Sequence, residues 1–143
     1  MMHPSRVRMM SIAGGLRILL IDDHPGSLLV LRHVLRSHGH VCEGAQTADA
    51  ALALVPALLP HVIIYEWHLR GGRGVGLAHR LRTECAGLRR QVAIVALSTL
   101  NEPDGFVERE GVDGYVNKPF CPDALDRLLA SVGASVSRAG GSA

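Results

Sequence analysis

The sequence predicts an α/β domain built on a doubly wound, five-stranded parallel sheet. Short apolar runs rich in β-branched residues recur along the chain, as at residues 63–68, Ile-Ile-Tyr-Glu-Trp-His, bounded by Pro60 and by Gly71-Gly72. Runs of this length and character read as strands buried on both faces. Between them lie segments with apolar residues at helical spacing, of which Leu28, Leu31, Val34 and Leu35 form the first. Strict alternation of the two kinds implies parallel strands joined by right-handed crossovers, with helices covering both faces.

The elements follow in order. Residues 16–21 form a strand ending at Asp22-Asp23, and His24-Pro25-Gly26-Ser27 is a loop and helix start whose helix Gly39 stops. Residues 41–45 form a weaker second strand. Thr47 caps a helix that places Leu52, Val55 and Leu59 inward, and Pro56 is expected to shorten or kink it. The third strand delivers Glu66 to its C-terminal end. A loop containing Gly71, Gly72, Gly74 and Gly76 leads into a helix over about 75–85, and residues 91–97 form a fourth strand ending at Ser98-Thr99. A short helix over 103–110, a strand over 114–116 and a helix over 122–132 complete the pattern.

The chain's 143 residues suffice for one domain with its own core. Residues 1–15 read as a disordered leader, 16–132 as the domain, and 133–143 as a flexible tail. A net charge of +2 with 20% charged residues demands no nucleic acid. The cluster of His79, Arg80, Arg82, Arg89 and Arg90 lacks interleaved aromatics and reads as a solvated helix face. Cysteines 42, 85 and 121 form no Cys-x-x-Cys pair, which suits a reducing compartment. Arg17 interrupts the apolar N-terminal patch, against a secretory signal. Pro56 and Pro60 interrupt the most apolar region, against a membrane span. The expectation is a cytoplasmic protein.

Oxygen-bearing side chains and one ammonium gather at the strand ends: Asp22 and Asp23 after the first, Glu66 after the third, Ser98 and Thr99 after the fourth, Lys118 after the fifth. In a doubly wound sheet these ends share one edge. Clustered carboxylates there favour a hard cation such as Mg²⁺, and a lysine with a hydroxyl opposite suits a phosphoryl group. His38, His40 and Cys42 lack a second ligand pair and read as structural or surface residues.

With Ile-Asp-Asp at 21–23, the strand ending at 66, Leu-Ser-Thr at 97–99 and Gly-Tyr-Val-Asn-Lys-Pro-Phe at 114–120, the chain resembles a response-regulator receiver domain of bacterial two-component signalling. The resemblance covers most of the chain and implies a flavodoxin-like fold. It implies Asp22, Asp23 and the backbone carbonyl of His68 as Mg²⁺ ligands, Ser98 and Lys118 as the phosphate pocket, and Tyr115 as the switch aromatic. Implied partners are a histidine kinase, a phosphotransfer protein or another signalling protein. A homodimer through the face from the fourth to the fifth helix is a further possibility the resemblance carries.

The departure is central. Glu66 stands where the family has its phosphoacceptor aspartate, and its extra methylene moves the nucleophilic oxygen by up to roughly 1.5 Å. Displacement by about 1 Å is enough to slow an in-line reaction on the order of 100-fold. The expectation is therefore an atypical receiver, not an enzyme, phosphorylation-independent at residue 66 and acting through protein contacts. In it Glu66 sets the conformation, either partly active-like or locked off. Arg70 replaces the proline usual four residues after the acceptor, and the Ser98 to Lys118 interval is a residue or two short. The alternatives are a conventional Mg²⁺-dependent phosphoryl acceptor, a surface-only binding module, or a Mg²⁺-dependent phosphohydrolase. The last is disfavoured because Asp22-Asp23 lacks Asp-x-Asp spacing, and Leu77 stands where a dinucleotide loop needs glycine.

Overall fold

The computed structural model describes residues 15–70, 74–88, 91–99, 102–118 and 122–141. Five strands, β1 (Arg17–Ile21), β2 (Val41–Ala45), β3 (Val62–Glu66), β4 (Ala93–Ser98) and β5 (Gly114–Asn117), alternate with helices α1 (Pro25–Ser37), α2 (Ala48–Leu58), α3 (Leu77–Glu84), α4 (Phe106–Glu110) and α5 (Pro122–Gly141). The strands form one parallel sheet in the order β2-β1-β3-β4-β5. This is the expected doubly wound architecture.

The period-2 alternation of the strands divides the core into two layers. Leu19, Ile21, Ile63, Tyr65, Ile94 and Ala96 face one side, where Ala51 and Val55 of α2, Leu77, Ala78 and Leu81 of α3 and Phe106 of α4 cover them. Ile18, Leu20, Val62, Ile64, Val95 and Leu97 face the other, against Leu35 of α1 and Leu125, Leu129 and Val132 of α5. Every residue of β3 and β4 is buried. At about 1.5–3 kcal/mol for each large aliphatic side chain removed from water, these two central strands contribute a substantial part of the apolar stabilisation.

Several local expectations are revised. Helix α2 passes through Pro56 to Leu58 without being cut short. Pro56 lies in its last turn, where the missing N–H removes a single helical bond. Leu59 does not face inward: it is 42% exposed and ends the helix in the left-handed region, φ 49° and ψ 64°. Helix α5 runs to Gly141, beyond the end expected at Val132, through the segment read as a flexible tail. No proline follows Pro122, and once a helix is nucleated each added residue gains a hydrogen bond. Residues 1–14 of the segment read as a leader lie outside the described residues, as do Gly71, Gly72, Arg89, Arg90, Pro119, Phe120 and Cys121.

His38 Nδ1 pairs with Asp126 Oδ1 at 2.9 Å, while both ring nitrogens of His40 are buried without a hydrogen-bond partner. Burial pushes the Cys42 thiol up to about 12. No helix among the described residues is long and apolar enough to cross a membrane.

Candidate functional site

Because all strands run one way, their C-terminal ends share an edge, and the strand order reverses between β1 and β3 to open a crevice there. Backbone bonds fix the residues at this edge. The Asp22 N–H donates to the Ala45 carbonyl at 3.1 Å, the Trp67 N–H to Leu97 at 2.8 Å, and the Lys118 N–H to Ser98 at 2.6 Å. The register pairs Glu66 with Leu97 and Ser98 with Asn117. Side chains from β1, β3, β4 and β5 are thus aimed into one place.

At its centre the Lys118 ammonium donates to Glu66 Oε1 at 2.6 Å and stands 3.5 Å from Asp22 Oδ2. Asp22 and Glu66 are each only 8% exposed, so water screens this pairing weakly. The remaining oxygens are also engaged. Asp22 Oδ1 accepts the His24 N–H at 2.9 Å, and Glu66 Oε2 accepts the His68 N–H at 2.9 Å. Asp23 has a partner of its own, accepting the Arg70 N–H at 2.9 Å with the Arg70 guanidinium 3.8 Å away. It lines a cavity of about 240 Å³ together with Thr47, Leu77 and Arg80.

Ser98 is fully buried. Its hydroxyl donates to Glu102 Oε2 at 2.8 Å, and His68 Nε2 lies 3.1 Å from the Ser98 Oγ. The Glu102 N–H in turn donates to the Tyr115 phenolic oxygen at 2.9 Å. Tyr115 packs on Phe106 at a centroid distance of 5.2 Å. Phe106 meets Trp67 in a T-shaped contact, with ring centroids 4.8 Å apart and an interplanar angle of 89°, and Trp67 is covalently next to Glu66. The contacts therefore close into a ring: Glu66, His68, Ser98, Glu102, Tyr115, Phe106, Trp67.

The structure brings together Asp22, Glu66, His68, Ser98 and Lys118, and connects Tyr115 to them through Glu102. Three contributions were not foreseen: Glu102, the imidazole of His68, which was expected to contribute only its carbonyl, and the Arg70 contact to Asp23. Glu102 sits in a loop before Pro103, where no periodicity marks an inward-facing acid. Each oxygen of Asp22 and of Glu66 faces an N–H or ammonium donor in this arrangement. Among the described residues, no group of three or more His, Cys, Asp or Glu side chains is disposed to hold a metal ion. Lys118 supplies one positive charge to the two carboxylates of Asp22 and Glu66.

Comparison with known proteins gives the same frame. The family model for the response regulator receiver domain matches residues 18–130. The chain is 30% identical over 120 residues to the phosphate regulon transcriptional regulatory protein PhoB of Pseudomonas aeruginosa, covering 82% of this chain and 52% of that protein. It is 34% identical over 124 residues to the sensor histidine kinase AruS of the same organism, covering 85% of this chain and 12% of that one. The chain thus spans about half, or much less, of these relatives. Among solved structures, a CheY-like receiver domain protein from Methanospirillum hungatei superposes with a TM-score of 0.74 at 20% identity, covering 87% of this chain and 98% of that chain. Chemotaxis protein CheY4 of Vibrio cholerae gives 0.68 at 24%, covering 83% and 99%. At these identities the structural matches speak for the fold alone.

Proposed function

The chain belongs to the response-regulator receiver family of two-component signalling, and from that premise we propose that it is an atypical receiver whose pocket is set by its own side chains. In this reading residue 66 does not accept a phosphoryl group, and the domain acts through protein contacts. The observation that carries it is the 2.6 Å pairing of Glu66 with Lys118. The longer carboxylate already occupies the ammonium that an incoming phosphoryl group would need. An oxygen held this way is a poor nucleophile, since attack would require it to leave a strong charge-assisted bond. Protein partners of the kind the family uses, a histidine kinase or a phosphotransfer protein, fit this role. So does pairing with a second copy through the face formed by α4, β5 and α5.

Intact-mass spectrometry after incubation with acetyl phosphate and Mg²⁺, comparing wild type with Glu66→Asp, tests the reading. In a modified protein the carboxylate oxygen forms a bond to phosphorus while the bond from phosphorus to the acetyl oxygen breaks and acetate leaves. The expected result is modification of the aspartate variant only. Modification of the wild type at residue 66 would overturn the proposal. Modification of neither would leave residue 66 inert and assign the signalling role to the surface alone.

A further inference from the structure

The pocket contains a second acid that is not on a strand end. The Glu102 side chain is 10% exposed, well below what a loop carboxylate ordinarily shows. Its Oε2 accepts the Ser98 hydroxyl at 2.8 Å and stands 3.6 Å from His68 Nε2, while its backbone N–H reaches the Tyr115 oxygen at 2.9 Å. One residue thus touches both the hydroxyl ending β4 and the aromatic side chain of β5.

We infer that Glu102 is a positioning residue, a second internal anion that ties Ser98 to Tyr115 and holds both in one arrangement. The inference rests on the reading of Glu66 given above and deepens it. A phosphoryl group offers three acceptor oxygens and close to two negative charges, so a single carboxylate cannot replace all its contacts. Here the contacts are divided. Glu66 takes the Lys118 ammonium and Glu102 takes the Ser98 hydroxyl.

Proton accounting supports the division. A serine hydroxyl has one proton to donate. With that proton directed to Glu102, the Ser98 oxygen receives from His68, which places the imidazole proton on Nε2. The chain of donors runs in one direction, from His68 through Ser98 to Glu102, and bonds aligned in this way strengthen one another. The Glu102 side chain is therefore anchored at Ser98, and that anchor sets where its own amide meets Tyr115.

Amide hydrogen exchange at residue 102, followed by NMR in the full chain and corrected for intrinsic rates, tests the inference. Tyr115→Phe, which removes the acceptor, defines the unprotected rate. Ser98→Ala and Glu102→Ala should each speed exchange at residue 102 by about tenfold or more while the β3 and β4 amides stay protected. Glu102→Gln, whose amide oxygen still accepts from Ser98, should restore most of the protection. Unchanged exchange in both alanine variants would overturn the inference, as would failure of Glu102→Gln to rescue. Glu102 lies off the core strands, so its two variants remain informative even if Ser98→Ala fails to fold. No phosphoryl donor is involved. A negative result here leaves the reading of residue 66 standing, and modification of the wild type by acetyl phosphate would not alter what is measured at residue 102.

Discussion

Glu66 and Lys118 meet at 2.6 Å across the end of β4, although 52 positions separate them in the chain. The pairing leaves Glu66 with 9% of its side chain exposed and Lys118 with 21%. Removing one partner strands the other in a poorly solvated place. Lys118→Met is therefore expected to lower stability by about 3 kcal/mol, near the low end for a broken buried pair because the lysine keeps some solvent. Adding Glu66→Gln should recover part of the loss. Urea unfolding of the two variants and the wild type measures both effects.

Gly74 is held against the chain that leaves β3. A methyl group there would lie 2.0 Å from the Trp67 carbonyl oxygen, and a backbone atom cannot turn aside as a side chain can. Gly74→Ala is expected to lose about 2 kcal/mol or more. Gly87→Ala, where an added Cβ meets nothing within 4 Å, provides the comparison in the same thermal melts.

Burial holds the His40 imidazole below its ordinary value of 6.5, against an upward pull from Asp126 and with a further downward push from His38. The folded chain then binds this proton less readily than the unfolded chain. The corresponding stability is present above pH 6.5 and is lost as the pH falls through that value toward the lower folded one. Thermal midpoints measured from about pH 7 to about pH 5 should fall more steeply for the wild type than for His40→Leu.

Cys42 is fully buried and its thiol is pushed up to about 12, chiefly by burial. Cys85 is shifted upward as well, by burial and then by Glu84. At pH 8 only about one Cys42 in ten thousand is a thiolate, and the thiolate is the reactive form. Iodoacetamide under native conditions should therefore leave residues 42 and 85 unmodified in a peptide map, and should label both once the protein is unfolded in guanidinium.

The central strands and their polarity were legible because β3 and β4 are buried on both faces, which leaves uninterrupted apolar runs such as Ile63-Ile64-Tyr65 and Ile94-Val95-Ala96. The acids, the hydroxyl and the lysine at their ends followed from parallel topology. What could not be read depended on side-chain direction. Nothing in the sequence distinguishes His68 as an imidazole aimed at Ser98 from His68 as a carbonyl donor, because both occupy the same backbone position. Glu102 gave no periodic signal, and its contacts to Ser98 and Tyr115 come together across the pairing of β4 with β5. Pro56 misled because the cost of proline depends on how many turns follow it, and here almost none do. Leu59 shows the reverse case, a residue of unsuitable type held in a left-handed cap by the geometry on either side.

The edge-on contact between Trp67 and Phe106 gives the molecule an optical gauge. The chain has a single tryptophan, so its ultraviolet-excited emission beyond the tyrosine band comes from one ring, covalently joined to Glu66 and linked through Phe106 to Tyr115. Emission colour and lifetime then report on the strand-end edge without any attached dye. A change in either while far-ultraviolet circular dichroism stays constant would time rearrangement of that edge separately from unfolding. Stopped-flow mixing with a partner protein would read the rate directly.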